Sequence, residues 1–411
     1  MSSGAASRTN GILLIPTSEP RTAMKFDDRP VFPRGFRCAS TNCGLKPDAK
    51  DLALFVSDRD AAAAAVFTRN LFPGAPVILG RETIRGGTLR AIVANSKCSN
   101  VATGPVGIEN ARRMAAAAAR EIGSAAERVL VSSTGVIGVQ LPIEKIERGI
   151  VGLAAKLQPD PMVGAEGIMT TDTHPKALSA RVGDATITWV AKGSGMIEPN
   201  MATMLAYIFT DAQLDAPALD AMLRSAVHVS FNMLSVDTDT STSDTCAILA
   251  NGLAGRVDEK AFLETLTAGC IKMTETLARD GEGAKHLLRT TVRGAGSEDD
   301  ARKVAKSLVN SPLIKTMVHG ADPNVGRLLM AVGKVFDVNV RAAATDAWIN
   351  GHAVVKGGER LSFDEATVRA ALANEVVDLE VALGLGTSSA TAYGCDLTAG
   401  YIEENAAYYS S

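Results

Sequence analysis

The stretch KGSGMIEPNMATML, residues 192–205, joins two segments that have the pattern of β-strands. Residues 185–193 (ATITWVAKG) before it carry alternating β-branched residues, and residues 203–212 (TMLAYIFTDA) after it favour a second strand. Glycines and a proline shape the loop, which ends at the small-residue pair Ala202 and Thr203. The sequence therefore predicts two strands and a specialised junction at the start of the second.

The segments around this junction indicate a layered α+β fold. An alanine-rich helix is predicted over 109–123, and a β-rich run over 128–138 follows it. The residues 258–280 predict a second, amphipathic helix. Asp215 can cap a third helix, whose apolar face comprises Leu219, Met222, Leu223, Ala226 and Val227. Because strands and helices come in separate runs, this architecture is favoured over a doubly wound parallel sheet.

The charge distribution favours a protein that acts on small molecules. Its 42 basic and 45 acidic side chains are spread along the 411 residues without a basic block. Such a chain lacks the electrostatic footprint that nucleic acid or an anionic membrane surface requires. No apolar run reaches the roughly 18 residues of a membrane span. The segment GILLIP near the start is too short for a signal-peptide core, so we expect a cytoplasmic protein.

Familiar cofactor and metal motifs are missing from the sequence. The six cysteines form no CxxC pair and are expected to be free thiols, and the five histidines have no metal-ligand spacing. GLGTSS (384–389) imitates a dinucleotide-binding loop, but the residues after it have no helical pattern. The sequence therefore predicts neither a metal site nor a nucleotide fold.

The junction suggests that the chain cuts itself. A hydroxyl can attack the preceding peptide bond only where the loop holds that bond strained and accessible, with donors ready for the oxyanion. Cleavage between Ala202 and Thr203 would free the Thr203 α-amine, whose ordinary pKa of about 7.7 to 8.0 suits it as general base for its own hydroxyl. The alternative is a plain loop that leads into a buried strand, since Ala-Thr pairs are common.

The junction and several further segments resemble the ornithine acetyltransferase family, the bifunctional glutamate N-acetyltransferases of the arginine pathway. AKGSGMIEPNMATMLAYIFTDA (191–212) is similar to the self-cleavage segment of that family. The further segments follow the order of the family from about residue 60 to the end of the chain. They are AAAVFTRN (63–70), VSSTGVIG (131–138), MTTDTHPKA (169–177), SFNMLSVDTDTSTSDT (230–245), VNSPLIKTMVHGADPNVGR (309–327) and YGCDLTAGYIEENAAYYSS (393–411).

The resemblance implies individual roles for residues of these segments. Thr203 would be the nucleophile and the new N-terminus, and Thr134 with Gly135 would stabilise the oxyanion. A glycine at a turn after a strand leaves its N–H accessible, and the Thr134 hydroxyl adds a second donor. Without the resemblance, Gly135 is an ordinary turn glycine. The implied substrate contacts are Thr170, Lys192, Thr203, Glu282, Asn405 and a terminal hydroxyl, which is Ser410 by spacing or Ser411 by position.

The resemblance also implies the reaction and the assembly. The two pieces, an α chain of residues 1–202 and a β chain of residues 203–411, would intertwine and pair into an α2β2 heterotetramer. The acetyl group of N2-acetylornithine would pass to Thr203 and then to glutamate in a ping-pong reaction. The reaction would need no metal or organic cofactor, and acetyl-CoA is an alternative acetyl donor.

Departures from the family pattern leave the acetyl acceptor open. Thr238 stands where glycine is expected, and Val325 stands where tryptophan is usual. The alternatives are an acyltransferase with another amine acceptor, an N-terminal nucleophile amidase that passes the acyl group to water, and a binding protein that is never cut. Without the motifs around them, Lys192 and Glu282 would be solvated surface charges.

The C-terminal tail is expected to be docked. A chain end is poorly ordered unless something ties it down, yet YGCDLTAGYI (393–402) is apolar and β-like up to the tail. If the tail folds over the pocket, as the resemblance implies, then Asn405 and Ser410 would hydrogen-bond the substrate.

Overall fold

The computed structural model of the protein describes residues 24–198 and 204–406. Over these residues the chain forms two β-sheets and eleven α-helices. The strands are β1 (Phe36–Thr41), β2 (Leu52–Phe67), β3 (Thr88–Asn95), β4 (Val129–Ser133), β5 (Lys176–Val182), β6 (Ala185–Lys192), β7 (Leu205–Ala212), β8 (Leu234–Ser235), β9 (Thr245–Gly255), β10 (Leu287–Ala295), β11 (Asp346–Ile349), β12 (His352–Lys356), β13 (Glu359–Arg360), β14 (Val376–Ala382) and β15 (Ser388–Cys395). The helices are α1 (Ala75–Thr83), α2 (Gly104–Ile122), α3 (Ile143–Ile150), α4 (Pro161–Ile168), α5 (Ala216–Val229), α6 (Glu259–Arg279), α7 (Glu298–Val309), α8 (Pro312–His319), α9 (Val325–Gly333), α10 (Glu365–Leu372) and α11 (Ala399–Ala406). None of these helices is long and apolar enough to cross a membrane.

The larger sheet contains strands from both sides of the junction. Its order is β4-β3-β2-β9-β7-β6-β5, and β1 pairs with β2 beside this path. The two strands predicted around the junction are confirmed: β6 and β7 are antiparallel neighbours, with Lys192 opposite Leu205. On its other side β7 runs parallel to β9. Lys192 and Leu205, the two ends of the loop, therefore lie side by side at the end of two inner strands.

The smaller sheet lies on the other side of a helical layer. Its order is β13-β12-β11-β14-β10-β15-β8. Helix α6 contacts β5 and β6 of the larger sheet and β10 and β15 of the smaller one, so it lies between the sheets. Helix α5 packs against α6 and against β2. The arrangement confirms the predicted layered α+β architecture.

The three predicted helices are present, as α2, α5 and α6. The Asp215 carboxylate accepts a hydrogen bond from Ala218 N at 2.8 Å, and the five predicted residues of the apolar face are the buried ones. Asp258 caps α6 through Ala261 N at 2.7 Å. The alanine-rich helix α2 begins at Gly104, earlier than the predicted residue 109, because a proline in its first turn needs no N–H partner.

The prediction of a β-like run up to the tail is wrong. Strand β15 ends at Cys395, and α11 begins at Ala399. The Asp396 carboxylate, directly after the strand, accepts hydrogen bonds from Lys285 N at 2.8 Å and His286 N at 2.9 Å. These bonds hold the end of β15 against the residues that precede β10. The segment GLGTSS leads directly into β15, so a strand follows it and the prediction that no helix does is confirmed.

Helix α6 reaches the larger sheet through a glycine. Trp189 on β6 is 1% exposed and belongs to the core between the sheets. A Cβ atom on Gly269 of α6 would lie 2.1 Å from Trp189 Cζ2, well inside contact distance. The absence of a side chain at Gly269 therefore lets the helix sit directly on the indole ring.

We predict that Gly269→Ala destabilises the fold although alanine is the better helix former. The propensity gain is about 1 kcal/mol, whereas overpacking a core costs about 1–3 kcal/mol because side chains leave their rotamers. Chemical denaturation followed by circular dichroism should give a lower midpoint. Gly333→Ala in α9, where no atom lies within 4 Å of the added carbon, is the control and should leave the midpoint unchanged or slightly higher. Equal midpoints for both variants would contradict the packing argument.

Candidate active site

A cleft with a cavity volume of about 100 Å³, partly open to solvent, lies beside the ends of β4 and β6. Six of the predicted site residues line it: Thr134, Gly135, Thr170, Lys192, Glu282 and Asn405. They come from separate segments that only the tertiary fold brings together. The other predicted residues, Ala202, Thr203, Ser410 and Ser411, lie outside the described residues.

The turn of Thr134 and Gly135 presents hydrogen-bond donors to the cleft. Thr134 N and Val136 N donate to Asn95 O and Lys97 O, each at 3.0 Å, and so fix the turn at the end of β4. Gly135 has a φ of 122°, and a Cβ atom there would lie 2.2 Å from the Lys97 carbonyl. Glycine is therefore required. Within the described ranges, neither the Gly135 N–H nor the Thr134 hydroxyl bonds to another group, so both can serve an oxyanion.

Lys192 stands at the mouth of the cleft as the last residue of β6. Its side chain is half-buried, and its Nζ donates to Thr170 Oγ1 at 3.3 Å, which joins two of the predicted contacts. Burial lowers the pKa of Lys192, and the carboxylates of Asp172 and Asp244 oppose this shift. The interpretation of Lys192 as a solvated surface charge is therefore wrong.

Glu282 and Asn405 meet at another part of the cleft wall. Glu282 is only 8% exposed, and its Oε2 accepts a hydrogen bond from Asn405 Nδ2 at 2.6 Å. A Cβ atom on Gly195 would lie 2.3 Å from the Glu282 carboxylate, so the glycine leaves room for that group. Asn405 belongs to α11, and Thr398 Oγ1 just before the helix donates to Gly283 O at 2.7 Å. Asn405 is therefore held on Glu282, whereas residues 407–411 of the predicted docked tail lie outside the described residues.

The sequence analysis missed Asp244, which also lines the cleft. Asp244 is 2% exposed, and its Oδ2 accepts no hydrogen bond within the part of the chain that the structure describes. Burial raises the pKa of Asp244 well above its usual value, against the hydroxyls of Ser241 and Thr68 and the ammonium of Lys192. Its neighbour Thr245 donates its N–H to Met204 O at 2.9 Å. The only signal in the sequence was an acidic residue directly before an apolar strand.

The acidic loop, residues 237–239, holds the chain just before the junction. Asp237 accepts hydrogen bonds from Met196 N at 2.6 Å and Ile197 N at 2.8 Å. Glu198 N donates to Asp239 O at 3.0 Å. Three successive amides before the junction are therefore fixed from one side.

Nothing in the described ranges could hold a metal ion through three or more histidine, cysteine or acidic side chains. All six cysteines are free, and only Cys43 is not fully buried.

The sequence matches the model of a known protein family and is similar to proteins of several organisms. The model of the ArgJ family matches residues 37–410, so the resemblance begins earlier than residue 60. The chain is 44% identical over 390 residues to the arginine biosynthesis bifunctional protein ArgJ 2 of Nostoc sp., covering 92% of this chain and 97% of that protein. It is 41% identical to the glutamate N-acetyltransferase Oat2 of Streptomyces clavuligerus, covering 93% and 99%. The crystal structure of ornithine acetyltransferase complexed with ornithine from Mycobacterium tuberculosis is 38% identical, with a TM-score of 0.40, and covers 41% of this chain and 94% of that one.

We predict that Thr238→Gly stabilises the protein. Thr238 lies in the acidic loop with a φ of 69°, the left-handed region that its β-branched side chain disfavours by about 1–2 kcal/mol. Glycine removes this cost, but it also lowers the free energy of unfolding by about 0.4–1 kcal/mol because the unfolded chain has more conformational freedom. The melting temperature should rise, and Thr238→Ala, which keeps the Cβ atom, should recover less. A lower melting temperature for Thr238→Gly would show that the loop is not strained.

Proposed function

The chain belongs to the ArgJ family, and from this premise we propose that it transfers the acetyl group of N2-acetylornithine to glutamate through an ester on Thr203. The observation that carries the proposal is the cleft itself. It gathers free donors at Thr134 and Gly135, an ammonium at Lys192 and a carboxylate at Glu282 beside the junction. These are the groups that acyl transfer from an acetylated diamino acid requires.

The proposed reaction begins with cleavage of the chain. The Thr203 hydroxyl attacks the Ala202 carbonyl carbon, and the peptide C–N bond breaks to leave an ester and a free α-amine on Thr203. Water then hydrolyses this ester, which leaves a carboxylate on Ala202 and restores the hydroxyl. The α-amine and the hydroxyl of one residue then form the base and nucleophile pair.

Acetyl transfer follows in two halves. The Thr203 hydroxyl gives its proton to the α-amine and attacks the acetyl carbonyl of N2-acetylornithine. The Thr134 hydroxyl and the Gly135 N–H donate to the oxyanion of the tetrahedral intermediate. The C–N bond breaks, the proton passes to the departing ornithine amine, and the acetyl group stays on Thr203 as an ester. The amine of glutamate then attacks the carbonyl carbon of this ester, and the bond from that carbon to the Thr203 oxygen breaks. The proton lost by the amine passes through the Thr203 α-amine to the Thr203 oxygen, which restores the hydroxyl as N-acetylglutamate leaves.

The walls of the cleft fit the donor by charge. The Lys192 ammonium suits the substrate carboxylate, and the Glu282 carboxylate suits the ammonium at the end of the ornithine side chain. Thr170 and Asn405 add neutral hydrogen bonds beside these charges. Ser410 or Ser411 is the proposed further contact from the tail.

The remaining parts of the proposal concern cofactors and assembly. The reaction as written balances without a metal or an organic cofactor, and acetyl-CoA is the alternative acetyl donor. The pieces 1–202 and 203–411 are proposed to stay together and to pair as an α2β2 heterotetramer. Six free cysteines support the cytoplasm as the location. An amidase would share every step up to the ester and then use water, so the products distinguish the two enzymes.

We predict that the purified protein consists of two pieces, one of which begins at Thr203. Thr203→Ala removes the attacking hydroxyl and should leave the chain whole, as measured by intact mass. Thr276→Ala, which removes an exposed hydroxyl on α6, is the control and should be cut normally. A wild-type chain that stays whole and active would refute this mechanism.

We also predict that Thr134→Ala slows transfer while the protein stays folded. Loss of one oxyanion donor lowers kcat by about 10²–10³. Thr134→Ser keeps the hydroxyl and should retain most of the activity. Kinetics should be measured with N2-acetylornithine and glutamate, with free acetate and N-acetylglutamate quantified separately. Full activity of Thr134→Ala would exclude this hydroxyl from the mechanism, and free acetate as the main product would favour the amidase.

A further inference from the structure

Three buried charges behind the cleft have no role in the chemistry described above. Lys176, the first residue of β5, lies between Asp172 and Asp280, and none of the three side chains is more than 3% exposed. Its Nζ donates to Asp172 Oδ1 at 2.6 Å and also pairs with Asp280 Oδ2. Burying such a cluster costs desolvation energy, so stability alone does not account for it.

Asp172 connects this cluster to the Lys192 wall of the cleft. Its carboxylate accepts hydrogen bonds from Gly193 N at 2.7 Å and Thr170 N at 2.9 Å. Gly193 follows Lys192, and Thr170 accepts the hydrogen bond of the Lys192 ammonium. The position of Lys192 therefore depends on Asp172.

Asp280 connects the same cluster to the Glu282 wall. Its carboxylate accepts a hydrogen bond from Thr173 N at 3.1 Å, and its backbone carbonyl accepts one from Ser194 Oγ at 2.6 Å. Glu282 N in turn donates to Ser194 O at 3.1 Å. Lys176 thus adds a side-chain link, beside the bonds of Ser194, between the segments that carry Lys192 and Glu282.

We propose that Lys176, together with Asp172 and Asp280, is a positioning group that sets the separation of Lys192 and Glu282. It thereby selects the length of the diamino acid from which the acetyl group is taken. The inference rests on the proposed function, because Lys192 and Glu282 bind the two ends of the donor only if the donor is an acetylated diamino acid.

The electrostatics explain why Lys176 is needed. Burial disfavours the charged form of Asp172, yet the ammonium groups of Lys176 and Lys192 and the hydrogen bond from Thr170 N hold its pKa below the usual value. His174 lies at the surface, with its Nδ1 3.4 Å from Asp280 Oδ1. Without Lys176, two buried carboxylates would share one space with no cation between them. The carboxylates of Asp172 and Asp280 would move apart, or one of them would take up a proton. Either change would weaken the hydrogen bonds that hold the segments of Lys192 and Glu282.

The test compares donors that differ by single methylene groups. Wild type, Lys176→Met and Asp280→Asn would be assayed for kcat/KM with N2-acetyl-2,4-diaminobutyrate, N2-acetylornithine and N2-acetyllysine, with glutamate as acceptor. Asp280→Asn keeps the shape of the side chain and serves as the second variant if Lys176→Met does not fold. Lys356→Met, which breaks an exposed ion pair with Asp346 on the smaller sheet, is the control.

One methylene in a fixed pocket is worth about 10–200-fold, so the wild type should prefer one length clearly. The preference should fall by about tenfold or more in both cluster variants and stay unchanged in Lys356→Met. A cluster that only supports the fold would lower kcat/KM for all donors alike and keep their ratio, which would overturn the inference. If the wild type uses none of the three donors, the proposed function fails, and the inference with it.

Discussion

The antiparallel pairing of β6 with β7 is the constraint on which the rest of the site depends. It brings both ends of the loop 192–205 to one end of the larger sheet, with Lys192 opposite Leu205. Strand β7 is in turn fixed to β9, so that Asp244 comes to lie beside the same loop. The proposed cleavage requires a strained peptide with rigid supports on both sides, and two inner strands of the sheet would supply them.

Several charged side chains around the cleft are buried, and their burial costs desolvation energy. Lys192, Asp244 and the Asp172, Lys176 and Asp280 cluster lie where burial opposes ionisation, and the group is held together by opposite charges. The attraction between such charges offsets the desolvation cost only when their geometry is fixed. The backbone hydrogen bonds to Asp172 and the bonds of Asp280 provide that geometry. The low polarity of the surroundings in turn strengthens each interaction with a bound substrate.

Local sequence signals were enough for the strands and helices that frame the site. Caps such as Asp215 and Asp258, and the alternation in β6, act over a few residues and are readable from the chain. The β-like interpretation of 393–402 failed because Asp396 is bonded to residues more than a hundred positions away. Asp244 and Lys176 went unrecognised for the same reason, since only the fold shows that they are buried beside the junction. The six cleft residues were found through a family resemblance, because nothing in their spacing indicates that they meet.

The shared sheet has a consequence for how the protein is made and lost. Six residue pairs join β6 to β7, and further pairs join β2 to β9 across the two parts of the chain. The proposed cut between β6 and β7 would leave these ladders intact, but the unfolded state would then consist of two separate molecules. Folding before the cut is unimolecular, whereas recovery after denaturation becomes an association whose equilibrium depends on concentration. If the chain is cut as proposed, its first folding does not depend on concentration, whereas refolding of the two pieces becomes less complete as the protein is diluted.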